Sequence, residues 1–531
     1  MKAGSNRFHF IFLFLLFSSS CFSQSDKRKA ATGTKNEVIY HIFLRSFYDS
    51  DGDGNGDLKG LQSKLDYLQD LGINSILLTP LYSSLYYHNY FSDDFEKIDP
   101  EFGTLQDYLS LVKDVHKRNM KIYLDMETQY VTEDHVWWKD SYGNPGSKYS
   151  DYILYNDSAH TKPEPIIFNL TELPGYDGTI RKVATVNLHS KNVLDYNYNL
   201  FKYFVDPNHD KKFDDGVDGF RLDHAMDDLD WKGRLPDLFE NFWKPLLTKL
   251  KAVNPKLRIV AEQANWMDWG KDYFEKANVD RVFAFRIQKA FTTFDKKQLE
   301  QQIDSTFSQT SAGHQQVVFI ENHDLDRFAS LVKKDPAKEK VGAAFNLLTG
   351  GIPSIYYGQE LGMYGVGGYG KFGMTDANDI PRREAFEWYQ TDEGKGMAIW
   401  YKNPGRLWWD STNLKPNDGI SLEEEKNDPN SLYQFYKKLL RLRQSNPALY
   451  AGNYQTISNN NETVFSFLRA AKDQRLLIVI NLSSKPQQTN IDDKGILPTN
   501  KLSSLLVNNK TQSVGKRISL IPYEVQIWKI N

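Results

Sequence analysis

Eight short runs of apolar and β-branched residues alternate with stretches of helical spacing, and this alternation limits the fold more than any other feature. The runs are Val38–Phe43, Ile73–Leu78, Lys121–Leu124, Val217–Arg221, Leu257–Glu262, Val279–Phe285, Gln315–Ile320 and Ile352–Tyr357. Between the first two, Leu58, Leu61, Leu65, Leu68 and Leu71 share one helical face, which predicts a helix over 58–71 stopped at Gly72. A second helix is predicted over 105–118. Strands alternating with helices imply a parallel sheet, and eight such units imply a closed TIM (β/α)8 barrel.

Two stretches break this rhythm. Residues 127–199 are rich in Tyr, Asn, Asp, Gly and Pro and read as a domain inserted after the third strand. From 447 onward the apolar period becomes two, in Val464–Leu468, Leu476–Ile480 and Val525–Trp528, which predicts a C-terminal antiparallel β-sandwich over 447–531. The barrel itself is then expected over 37–126 and 200–446.

Residues 1–23 read as a signal peptide. Lys2 and Arg7 precede the apolar run Phe8–Phe17, which is too short to span a bilayer as a helix. Export to the periplasm or the extracellular space is expected. Cys21, the single cysteine, offers a lipid-anchored alternative, although Ser18 stands where a lipoprotein signal usually has a larger apolar residue. If residues 1–23 are removed, no cysteine is left and no disulfide can staple the fold. The formal net charge of −3 argues against a nucleic-acid partner, which demands a basic face. Aromatic residues make up 14% of the chain. Core packing and sugar stacking both remain open for them, including the pairs Trp137-Trp138 and Trp408-Trp409.

Three carboxylates follow three of the strand runs. Asp223 ends Gly219-Phe220-Arg221-Leu222-Asp223, Glu262 ends Arg258-Ile259-Val260-Ala261-Glu262, and Asp324 ends Phe319-Ile320-Glu321-Asn322-His323-Asp324. In a parallel barrel the C-terminal strand ends form one rim, where chemistry is built. Arg221 lies two residues before Asp223 and so on the same side of its strand. Its charge is expected to keep Asp223 ionised.

These segments, in this order, resemble those of the α-amylase family, glycoside hydrolase family thirteen. The resemblance covers nearly the whole chain after about Glu37, and Val186-Asn187-Leu188 with Asn192 resemble the segment closing that family's inserted domain. It implies a retaining hydrolase that cleaves α-glucosidic bonds in starch-type α-glucans or maltodextrins through a covalent glycosyl-enzyme. By resemblance, Asp223 is the nucleophile, Glu262 the acid and then base, and Asp324 the transition-state stabiliser. Tyr90, Asp125, Arg221 and His323 would bind the sugar. A transglycosylase or isomerase of the same family, similar to trehalose synthases, would use the same carboxylates. A silent glycan-binding homologue is the third reading. The linkage cleaved, the chain length preferred and the oligomeric state stay open.

Asp49-Ser50-Asp51-Gly52-Asp53-Gly54-Asn55-Gly56-Asp57 places acidic residues at alternate positions with glycine between, a loop whose oxygens can converge on a hard cation. It resembles the calcium loop of oligo-1,6-glucosidases, which implies structural Ca2+ held by Asp49, Asp51, Asp53, Asn55 through its backbone oxygen, and Asp57.

One segment departs from the family pattern. Asp125-Met126-Glu127-Thr128-Gln129-Tyr130 has Gln129 and Tyr130 where the family usually has Asn and His. By resemblance, that Asn holds a second calcium and that His touches the sugar, so the second calcium is expected to be absent.

Overall fold

The computed structural model describes residues 36–391, 393–402, 412–492, 502–506 and 517–530. The signal segment, Cys21 and Trp408-Trp409 lie outside them. No described helix is long and apolar enough to cross a membrane.

Eight parallel strands close into a barrel in sequential order. They are β1 (Ile39–Ile42), β2 (Ser75–Leu78), β3 (Lys121–Met126), β4 (Gly219–Leu222), β5 (Arg258–Ala261), β6 (Arg281–Phe283), β7 (Gln315–Val318) and β8 (Ile352–Tyr356). Each falls within or overlaps one of the eight runs. Their outward residues, among them Ile76, Ile122, Phe220, Ile259 and Ile355, pack against the surrounding helices in the main core.

The inward residues form three layers. At the bottom, Glu37 accepts from Arg281 Nη2 at 2.8 Å and from Tyr123 Oη at 2.6 Å. Burial raises the Glu37 pKa, but Arg281 and Lys121 outweigh it and hold the group down at about 2. The middle layer is apolar, with Ile39, Leu77, Val260, Phe283, Val317 and Ile352. The top layer is polar and carries the candidate site. Register pairs Asp125 with Arg221, and the two side chains meet in the lumen at 2.6 Å. Gly219 permits this packing, because a Cβ there would lie 1.9 Å from the Arg258 carbonyl and 2.6 Å from the Tyr123 ring.

The helix expected over 58–71 is two helices, Leu58–Ser63 and Leu65–Leu71, broken at Lys64. Lys64 leaves helical geometry (φ −105°, ψ 6°), and its ammonium sits 3.8 Å above the Tyr48 ring. Leucine spacing carries no signal of such a break.

The insertion holds a three-stranded antiparallel sheet of Tyr130–Thr132, Ile180–Thr185 and Glu172–Pro174. Trp137 and Trp138 are buried there. Trp137 packs edge-on against Tyr152 and Tyr196, so this pair belongs to the core. The helix Lys191–Val205 runs without interruption through the junction expected at 199–200. At the C-terminus, a five-stranded and a three-stranded sheet enclose a separate core of Val464, Leu477, Val479, Ile518 and Trp528. Among the described residues, the strands of both sheets pair antiparallel.

Candidate active site

Arg221 is the hub of the polar layer. Its Nη1 lies 2.6 Å from Asp125 Oδ2 and also contacts Asp223 Oδ1, while its Nη2 lies 3.1 Å from Glu262 Oε2. The backbone amide of His224 donates to the same Glu262 oxygen at 3.1 Å. Side-chain exposure separates the roles available to these groups. Asp125 and Arg221 are sealed at 0% and 1%, whereas Asp223, Glu262 and Asp324 keep 15%, 9% and 28%. Only the latter three present a carboxylate to an incoming molecule.

Tyr90 and His323 complete the floor. Tyr90 Oη donates to Asp125 at 2.8 Å, lies 2.8 Å from His323 Nε2, and its ring stacks on the His323 imidazole at 5.3 Å between centroids. His323 Nε2 is in turn 3.2 Å from Asp324 Oδ2. Burial, with the neighbouring His41, Arg383 and Arg221, holds His323 well below its ordinary pKa, so the imidazole is neutral. Asp324 stands six residues beyond the end of β7, so a loop and not the strand end presents it. Arg383 steadies that loop, with Nη2 3.3 Å from Asp324 Oδ1 and Nε donating to the His323 carbonyl at 3.0 Å.

The structure therefore brings together Asp223, Glu262, Asp324, Tyr90, Asp125, Arg221 and His323, the seven residues that the sequence resemblance assigns to catalysis and sugar binding. Arg383 was not among them, because it lies in an irregular segment far along the chain from Asp324. No spacing rule connects the two.

Burial pushes each of these carboxylates toward its neutral form, and the neighbouring charges decide the net shift. Burial raises Asp324 to about 6, with Glu262 adding repulsion that Arg383 and Arg221 partly offset. Burial likewise raises Asp125 to about 7 against the pull of Arg221. For Asp223, burial is again the largest effect, and Glu262 and Asp125 add to it beyond what Arg221 offsets, so its pKa is raised. For Glu262, burial is outweighed by Arg221 and His224, so its pKa is lowered. The two carboxyls lie against the same guanidinium, so the titration of each depends on the other. Arg221 lowers the Asp223 pKa, in the direction expected of it, while burial and the neighbouring carboxylates act the other way and outweigh it.

Gln129 and Tyr130 are both buried. Gln129 Nε2 donates to the Asp223 carbonyl at 2.6 Å. Tyr130 donates to Asp230 Oδ1 at 2.6 Å, an oxygen 3.0 Å from His224 Nε2. These residues brace the chain on either side of the Asp223–Glu262 pair.

In the loop after β1, carboxylate oxygens of Asp49, Asp51 and Asp57 converge within 4.8 Å of one another. This all-oxygen donor set suits a hard cation. Asp53 is not part of it, and its Oδ1 instead accepts from the Asn55 amide at 2.7 Å. The Asn55 side chain is taken by Arg45 at 2.7 Å, which leaves only its backbone oxygen as a ligand. Gly54, at φ +96°, lets the loop curl so that its amide reaches Asp49 Oδ2 at 2.9 Å.

A closed parallel barrel whose C-terminal rim gathers three reachable carboxylates around a buried arginine belongs to the class of barrel proteins that carry a carboxylate-based site. The α-amylase catalytic-domain family matches residues 41–452, and the C-terminal domain family of SusG-type α-amylases matches residues 464–527. The chain belongs to the α-amylase family of α-glucan hydrolases. It is 28% identical to an α-amylase of Dictyoglomus thermophilum, over 93% of each chain. It is also 28% identical to a trehalose synthase/amylase of Mycobacterium tuberculosis, over 87% of this chain and 84% of that one. The crystal structure of an α-amylase from H.orenii superposes with a TM-score of 0.76 at 25% identity, over 94% of this chain and 100% of that one.

Proposed function

We propose that this protein is an exported retaining hydrolase of starch-type α-glucans or maltodextrins, of the endo-amylase, neopullulanase or maltodextrinase kind. The observation that carries this reading is the single Arg221 guanidinium touching both Asp223 and Glu262. One guanidinium contacting both carboxyls sets them side by side, the arrangement a retaining pair needs, whereas an inverting enzyme holds its carboxyls roughly 6.5–9.5 Å apart to admit a water.

In this reading protonated Glu262 passes its proton to the glycosidic oxygen, while ionised Asp223 attacks the anomeric carbon and forms the glycosyl-enzyme. Glu262 then removes a proton from water, which displaces Asp223 with net retention. Asp324 takes sugar hydroxyls and balances the oxocarbenium-like charge. Tyr90 offers its ring face, and neutral His323 and sealed Asp125 hold that ring in place. Asp49, Asp51 and Asp57 would hold Ca2+, whose part is to rigidify the loop after β1. Export would follow from residues 1–23, with Cys21 as the site of a lipid anchor in the anchored form.

The test is incubation with amylose, pullulan, cyclodextrin, isomaltose, trehalose and sucrose, with products separated by chromatography and their anomeric form read by NMR. Initial α-anomers from amylose or maltodextrin support the reading. Initial β-anomers, or no turnover of any sugar, would overturn it. A transferring enzyme is the second reading, favoured by similarity to a trehalose synthase/amylase. Conversion of maltose to trehalose with little free glucose would establish it.

A further inference from the structure

Lys232 carries its ammonium into a cage of oxygens between the loop after β4 and the inserted domain. Its Nζ donates to the carbonyls of Pro165 at 2.6 Å and Ile166 at 2.9 Å, and lies 3.4 Å from Glu164 Oε1 and 3.5 Å from Asp230 Oδ2. An ammonium has three donors, so two go to the carbonyls and the third faces the two carboxylates. The cage is largely sealed, with side-chain exposures of 16% for Lys232, 10% for Glu164 and 2% for Asp230.

The walls of the cage are fixed independently of the lysine. The Glu164 amide donates to the Leu154 carbonyl at 2.7 Å, the Glu164 carbonyl accepts from the Thr185 amide at 3.0 Å, and the Ile166 amide donates to the Leu170 carbonyl at 2.9 Å. Asp230 Oδ1 accepts from Tyr130 at 2.6 Å and lies 3.0 Å from His224 Nε2. The charges also balance. Glu164 and Asp230 bring two negative charges, Lys232 brings one positive, and Arg234 brings the second, with its Nε 3.5 Å from Glu164 Oε2.

Two carbonyls and two carboxylates around one point are a donor set for a hard cation. The family resemblance implies a calcium near the inserted domain, held by an Asn where Gln129 stands. The residues here do not suit that ion. Gln129 Oε1 accepts from the Thr128 amide at 2.7 Å, its Nε2 donates to the Asp223 carbonyl, and the adjacent Tyr130 spends its hydroxyl on Asp230. We propose that Lys232 is a built-in cation that joins the inserted domain to the barrel in place of a metal ion. Its ammonium fills an oxygen cage that would otherwise call for one. Through Asp230 and His224, whose amide donates to Glu262 at 3.1 Å, the same cation ties the junction to the candidate acid. The proposal does not depend on the hydrolase reading.

Lys232→Ala removes the atoms of one propylammonium ion, which makes chemical rescue the test. Thermal melts of wild type, Lys232→Ala and Lys232→Met are compared with propylammonium, 1-propanol or calcium added, and sodium chloride sets equal ionic strength. Both variants should melt about 3–5 °C below wild type, on the order of two lost charge-assisted hydrogen bonds. Propylammonium should return most of that loss to Lys232→Ala and none to Lys232→Met, whose stem still fills the space. 1-Propanol, which has the stem without the charge, should return none. Lys232→Ala should also hold one more calcium per chain than wild type, counted after gel filtration, and gain more stability from calcium. Unchanged melting temperatures in both variants, equal rescue by 1-propanol, or equal calcium content in wild type and Lys232→Ala would each overturn the proposal. If Lys232→Ala is recovered unfolded, refolding yield with and without propylammonium makes the same comparison. None of these readouts needs turnover, so they stand even if the sugar panel shows no hydrolysis.

Discussion

The backbone amide of His224 donates to Oε2 of Glu262 at 3.1 Å, from a residue whose own φ is +44°. His224 directly follows Asp223, so one strained turn at the end of β4 fixes the candidate nucleophile and steadies the candidate acid on the neighbouring strand. The turn is held by Gln129 on the Asp223 carbonyl and by the Tyr130–Asp230–His224 chain of hydrogen bonds.

Asp223→Asn should abolish nearly all hydrolysis with the fold intact, because the amide keeps the shape and cannot attack. Glu262→Gln should lower kcat on maltoheptaose by about 10²–10⁴, and by much less on maltosyl fluoride, which needs no proton to leave. Kinetics beside a thermal melt check both. Wild-type turnover in either variant on maltoheptaose would remove that residue from the mechanism.

Asp324 is raised to about 6 and Asp125 to about 7, in each case first by burial. If the ionised forms are the ones that serve the site, kcat/KM should decline as pH falls through about 7 to 6. An unperturbed carboxylate would place that limb near 4. A pH profile flat down to 4.5 would contradict the prediction.

The double change Gln129→Asn and Tyr130→His removes two buried hydrogen bonds, one of them to a carboxylate. Stability should fall by about 2–4 kcal/mol, and kcat should fall with it, because the brace behind His224 is lost. Chemical denaturation and steady-state kinetics on the same sugar panel measure the two effects. Unchanged values in both would make this segment inert.

Calcium should raise the melting temperature in a concentration-dependent way and chelator should reverse it, since the ion binds only the folded loop. Asp51→Ala is the informative variant. Asp51 is exposed, and its Oδ1 accepts from the Asp53 amide at 3.3 Å. The variant should lose the calcium response and keep the calcium-free melting temperature. A full response in Asp51→Ala would rule out the proposed ligand set.

Glu360 is fully buried, and burial raises it to about 7 although Tyr40 and Tyr67 both donate to it. A carboxyl raised in the folded state is favourable below its unfolded pKa near 4.5, and this contribution is lost as pH rises through about 7. Glu360→Gln removes the titration while keeping the size. Relative to wild type, the variant should therefore gain stability between pH 5 and 8, by up to about 3 kcal/mol. Parallel denaturation curves at the two pH values measure it, and a constant difference would show that Glu360 does not titrate in this range.

The sequence by itself determined the barrel and the chemical type of its site. Alternation of period two inside β3 and β4 puts Asp125 and Arg221 in the lumen, and Asp223 and Glu262 each follow a strand directly, so local pattern sufficed for these positions. Three things were decided only by tertiary structure. Arg383 reaches Asp324 across a loop-to-loop contact, which leaves no periodic trace in the chain. Carboxylate oxygens of Asp49, Asp51 and Asp57 converge while that of Asp53 lies outside the cluster, a placement made by the curl of the backbone and not by residue type. Protons in the Asp223–Glu262 pair are distributed by burial and by competition for one guanidinium, and both depend on how many groups the fold packs around Arg221. Local pattern follows from the repeat of the backbone, whereas pKa and loop contacts follow from what the rest of the molecule places nearby.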